Sequence, residues 1–169
     1  MGENKKMKVF IQNKVMSLGG SSKVKNEQGE DIFFVKGRVF SLSHVKWVRD
    51  MQKNKLFKVR DSIGTFIHKS KAFIYDENKT KIATVKRAFG SASKFDIQSY
   101  DGEISIRFTT YYLASVIKNG QEIGKIDRST QNFAKQFFFG ADSFCIEAEE
   151  AEIPFLIALV IAMDNLTDA

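Results

Sequence analysis

The chain has 169 residues, 43% of them hydrophobic, which suits one domain with a real core. Its single proline argues against a disordered or linker-like chain, and its single cysteine, Cys145, excludes an intramolecular disulfide and a paired-thiolate metal site. The formal charge of +6 is unevenly spread: residues 1–100 hold 21 Lys and Arg against 9 Asp and Glu, and residues 101–169 hold 5 against 11.

A basic first part favours anionic partners such as phospholipid headgroups or nucleic acid. Lysines at alternate strand positions also solvate the outer face of any β domain. Phe outnumbers Trp and Tyr, 16 against one and four, as a β-rich core would require.

In chain order, Gly2–Lys6 reads as a short flexible start. Met1–Leu18 is charged throughout, with no continuous apolar run, so no signal peptide is expected; the default location is cytoplasmic, with peripheral membrane contact as a candidate. Apolar residues then recur with period two. Strands are expected over Lys8–Ser17, Lys23–Lys25, Ile32–Phe40, Val45–Met51, Leu56–Arg60, Thr65–His68, Ala72–Tyr75, Lys81–Phe89, Lys94–Ser99, Glu103–Phe108, Tyr111–Lys118, Glu122–Asp127, Lys135–Phe139 and Ser143–Ala148. Turns fall at Asn26–Glu30, Asp76–Lys79 and Asn119-Gly120, the last a strong hairpin signal. Few connections are long enough for a crossover helix, so the sheet should be antiparallel.

A weak internal repeat links Glu30–Ser41, Lys79–Ser91 and Gln121–Arg128, each a polar turn, an apolar strand and a basic or polar pair. It reads as one hairpin design reused around a closed sheet. The tail departs from period two. Glu147, Glu149, Glu150 and Glu152 precede Ile153–Met163, with Pro154 in its first turn, which are helix-opening signals. A helix apolar on every face must be buried all round, and eleven residues rise only about 16 Å, too short to span a bilayer. The sequence therefore predicts one mainly β domain over 1–169: a closed antiparallel barrel of about twelve strands around a central helix at 151–165.

These features resemble the LURP-one-related family. Val35-Lys36-Gly37-Arg38-Val39-Phe40-Ser41-Leu42 looks like its basic–apolar hairpin, Lys14–Gly19 like its opening strand and Ile157–Asp164 like its closing helix. The resemblance covers residues 7–166, apart from an irregular stretch between Ser43 and Gly64. It implies the barrel threaded by a hydrophobic helix that tubby C-terminal-like domains share with phospholipid scramblases. Tubby domains bind phosphoinositide headgroups through surface basic residues, but none of those residues can be matched to a position here.

Signals for chemistry are few. His44 and His68 stand without metal-ligand spacing, Gly19–Ser22 and Gly90–Ser93 lack the nucleophile-elbow pattern, and no phosphate or dinucleotide fingerprint occurs. No enzyme activity, metal or cofactor is expected. The functional lead is the set of repeated cations, Lys36, Arg38, Lys86, Arg87, Lys125 and Arg128, which would bind phosphate if the repeats stood side by side. The expectation is a noncatalytic binding module for anionic phospholipid headgroups. The alternative is a protein-interaction domain; a nucleic-acid binder or an enzyme with a cleft at the barrel mouth ranks lower.

Overall fold

The structure, a computed structural model, describes residues 5–12, 21–38, 44–62, 71–88, 94–128 and 143–167. Its strands are β1 (Lys6–Gln12), β2 (Ser21–Asn26), β3 (Asp31–Gly37), β4 (Val45–Asp50), β5 (Lys55–Asp61) and β6 (Lys71–Tyr75). They continue as β7 (Lys81–Arg87), β8 (Phe95–Ser99), β9 (Ile104–Phe108), β10 (Leu113–Lys118), β11 (Gln121–Asp127) and β12 (Ser143–Glu149). A 3₁₀ turn over Glu150–Glu152 leads into helix α1 (Ile153–Thr167).

Three hairpins use the same turn. Asn26, Asp50 and Asp76 each accept, through Oδ1, the backbone N–H four residues on, at 2.9, 2.8 and 2.8 Å. The residue three positions on is left-handed in every copy: Gly29, Lys53 and Lys79. A ladder irregularity precedes each, between Val24/Lys25, Val48/Arg49 and Ile74/Tyr75. A short polar side chain that satisfies the turn's own amides makes this geometry cheap to form. The Asn119-Gly120 hairpin forms as expected, with positive φ at both residues.

All twelve strands join one antiparallel sheet in the order β8-β7-β6-β5-β4-β3-β2-β1-β12-β11-β10-β9. Pairing of β1 with β12 wraps the sheet into a nearly closed barrel. The end strands β8 and β9 adjoin without a hydrogen-bonded register among the described residues. The five short turns lie at one end, and α1 runs from that end toward the other.

Inward-facing Val9, Ile11, Val24, Val35, Val48, Val59, Ile74, Val85, Val116, Ile126 and Ile146 are buried against α1, whose Leu156–Ala162 are fully covered. Phe57 meets Phe155 edge-on, with ring centroids 6.0 Å apart. Gly124 admits the helix to the wall: a Cβ there would stand 2.5 Å from Leu156 Cδ1 and 3.0 Å from Ala148 Cβ.

Some boundaries differ from the sequence reading. The strands expected at Thr65–His68 and Lys135–Phe139 lie outside the described residues, as do 13–17 of the first strand. β4 ends at Asp50 because that side chain starts a turn. β10 begins at Leu113 rather than Tyr111, because Thr110 Oγ1 accepts the N–H groups of Tyr112 and Leu113 and turns the chain, leaving both tyrosines exposed. The helix continues past Met163 and 165 to Thr167 because Asp164 and Asn165, though polar, are buried at the barrel's far end.

Candidate functional site

The repeated cations do not gather into one cluster. Lys36, Lys86 and Lys125 follow or precede the core residues Val35, Val85 and Ile126, so strand alternation turns all three outward. They sit on β3, β7 and β11, each four places from the next in a twelve-strand order, with three strands between. Each lysine therefore lies a third of the way round the barrel from the others. Arg38 is exposed just beyond β3, where its N–H donates to Val45 O at 3.0 Å. Arg87 and Arg128 follow the inward register instead. Arg87 Nη1 donates to Leu166 O at 3.1 Å, and the Arg128 guanidinium lies 5.2 Å from the Phe144 ring centroid, beside a crevice that also borders Met163 and Asp164. A cation at a helix C-terminus meets the negative end of the dipole, so these arginines serve the helix end.

That end carries a buried polar cluster. Lys46 Nζ donates to Asn165 Oδ1 at 2.8 Å, Asn165 Nδ2 donates to Asp61 Oδ1 at 2.8 Å, and His44 Nδ1 stands 3.3 Å from Asp61 Oδ2. Lys46, Asp61 and Asn165 are 5%, 0% and 4% exposed. Buried charges persist only where they are paired and hydrogen-bonded; here the pairing ties α1 to β4 and β5. His44, partly exposed, thus orients against a buried carboxylate, and His68 lies outside the described residues. Cys145 is no nucleophile at neutral pH, because burial pushes its thiol up to about 12.

The outer wall of β3–β7 is different. Register places Lys36 opposite Trp47, Trp47 opposite Lys58, Lys58 opposite Tyr75 and Tyr75 opposite Lys81. Cation and aromatic alternate strand by strand across five strands. Around this row lie Arg49, Lys55, Arg60, Lys71, Phe73 and Lys86, again on the outer face. Ammonium groups rest on rings: Lys58 5.3 Å from the Tyr75 centroid, Lys55 5.4 Å from Trp47, and Lys81 5.3 Å from Phe73 and 5.5 Å from Tyr100. Thr84 and then Lys81, hydrogen-bonded to the Tyr100 hydroxyl, hold that phenol below its ordinary range.

None of Lys36, Arg49, Lys55, Lys58, Arg60, Lys71, Lys81 and Lys86 makes an ion pair among the described residues. Most nearby carboxylates are engaged elsewhere, although Asp96 stands opposite Lys86 in the register and Glu77 borders the wall, neither within ion-pair distance. Asp31 pairs with Lys23 and Lys25, which hold its carboxyl below the usual range. Asp50 and Asp76 close turns, and Asp61 points into the barrel. A hollow of about 200 Å³ lies between Trp47 and Tyr75, bordered by Lys55, Lys58 and the turn residues Glu77 and Lys79.

On the wall of β9–β12 and β1, three of the four lysines have a carboxylate partner, while Lys6 and Arg107 make no ion pair among the described residues. Lys125 lies 3.7 Å from Glu122, Lys8 3.8 Å from Glu147 and Lys118 3.4 Å from Asp101. The charge asymmetry of the sequence becomes an asymmetry of the surface because β1–β8 are consecutive neighbours in the sheet. Sequence reasoning missed the Lys36–Trp47–Lys58–Tyr75–Lys81 row; the signal was an outward cation or aromatic on each strand, which only the register brings into line.

Among the described residues, no helix is long and apolar enough to cross a membrane. The sequence model of one family, LURP-one-related, matches residues 7–164. A crystal structure of a protein from Arabidopsis thaliana is similar over 96% of this chain and 91% of its own, with a TM-score of 0.64 at 14% identity, a likeness of fold alone. No curated protein matches the sequence.

Proposed function

The chain belongs to the LURP-one-related family, and from that premise we propose that it is a noncatalytic binding module whose basic wall takes up anionic phospholipid headgroups at a membrane surface. The observation that carries this reading is the wall itself: eight cations on five adjacent strands, none ion-paired among the described residues. Surface cations are ordinarily interspersed with acids, and unbalanced ones raise the local concentration of an anionic partner. Near an acidic bilayer each lysine or arginine adds about 1 kcal/mol, so several acting together hold a small domain. Among the described residues, the polar groups Lys46, Asp61 and Asn165 at the helix end bind one another, which supports a noncatalytic reading.

Flotation with vesicles of phosphatidylcholine alone and with added phosphatidylserine tests the reading. Recovery is expected only with the acidic lipid and is lost as salt screens the charges; equal recovery from both vesicles would refute it. A second reading, a protein-interaction domain, is favoured by the seam, where β8 and β9 present strand edges without a ladder between them among the described residues. A stoichiometric partner held regardless of salt would support that reading instead.

A further inference from the structure

We propose that the wall docks on a bilayer side-on through the row Lys36–Trp47–Lys58–Tyr75–Lys81, with the two rings entering the headgroup layer and the three ammonium groups meeting lipid phosphodiesters. This deepens the lipid reading and rests on it. Neighbouring strands lie about 4.8 Å apart, so successive lysines of the row stand about 10 Å from one another with a ring between each pair. Trp and Tyr carry an apolar body and a polar tip, which suits the boundary between headgroups and acyl chains. Lysine stems lie along apolar surface while the charged head reaches outward.

The alternation also provides a coupling. In the unbound protein Lys58 covers the Tyr75 ring and Lys55 covers the Trp47 ring. A charge-assisted hydrogen bond to phosphate is stronger than an exposed cation–π contact, so lipid phosphate draws the ammonium groups off the rings. The ring faces are then uncovered where the apolar boundary lies beneath the phosphates. Electrostatic capture and aromatic insertion become one event, and neither proceeds well alone. Asp76 and Glu77 end the wall at the turn beside the hollow, so the contact lies on the barrel's flank and not on its turn end. A bilayer fits this row better than single-stranded nucleic acid, which is held in a basic groove that tracks its backbone, whereas this row crosses the outer face of a barrel wall.

Trp47 is the only tryptophan, so intrinsic fluorescence reports this contact directly. Titration with phosphatidylcholine/phosphatidylserine vesicles is expected to shift Trp47 emission to the blue, and bromine-labelled lipids are expected to quench it; phosphatidylcholine alone does neither. Lys58→Ala, checked for an unchanged melting temperature, is expected to weaken partitioning about fivefold, and Tyr75→Ser to reduce the blue shift. Co-flotation with acidic vesicles without any change in Trp47 emission would overturn the docking pose and leave the lipid reading standing. Absence of co-flotation would overturn both. Trp47 quenching by an oligothymidylate but not by vesicles would overturn both as well, and assign the row to nucleic acid.

Discussion

Two walls of one barrel share strand geometry and core, yet they treat charge in opposite ways. On β9–β12 and β1 three of the four lysines, Lys8, Lys118 and Lys125, have carboxylates within 4 Å. On β3–β7 eight cations stand without one among the described residues, and several lie on aromatic rings instead. Exposed paired charges contribute little to stability and are mainly a way to stay solvated. A wall most of whose acids are diverted into turns and into the core is poised for an anion from outside. The difference teaches that net charge is less informative than which carboxylates are still available to balance it.

The largest effect should come from abolishing that difference. Replacing Lys36, Lys58 and Lys81 together by Glu is expected to lower partitioning onto acidic vesicles by about ten-thousandfold, read by flotation, since each reversal removes one favourable charge and adds an unfavourable one. Gly124→Ala probes the opposite wall, where packing rather than binding is at stake. Its Cβ meets Leu156 and Ala148, so the variant should lose about 2 kcal/mol of stability, a fall of about 6 °C by calorimetry, with vesicle partitioning unchanged where it is folded. Glu77→Lys extends the basic wall past its acidic border and should strengthen vesicle binding about fivefold or more, measured by titration. Arg87→Ala removes the cation from the Leu166 carbonyl. It should destabilise by about 1 kcal/mol in urea titration and leave lipid binding within error, whereas a role for the repeated cations as a set predicts a loss.

Much of the fold was legible in the residues. The all-round apolar run after Pro154 announced a buried helix, period-two alternation marked ten of the strands close to their observed places, and Asn119-Gly120 marked its hairpin. The turn at Asp50–Asn54 was not, because Asp50-Met51 continues an alternating pattern and Lys53 gives no glycine signal for its left-handed backbone. The candidate surface was legible only as the charge imbalance between the two parts of the chain. Lys36, Trp47, Lys58, Tyr75 and Lys81 are remote in sequence and meet through four registers, two of which are shifted by a bulge before a turn. A one-residue slip would send them to the other face. The repeated cations misled for a related reason: a motif recurring every four strands disperses its side chains around a closed barrel.

The central claim is that position on the barrel, not charge, decides lipid binding. Lys58→Glu and Lys125→Glu make the same change in net charge on opposite walls, so partition coefficients for the two variants on one acidic vesicle preparation compare the walls directly. Lys58→Glu is expected to fall about 25-fold below the parent while Lys125→Glu stays within about twofold. Equal losses in the two variants would contradict the account.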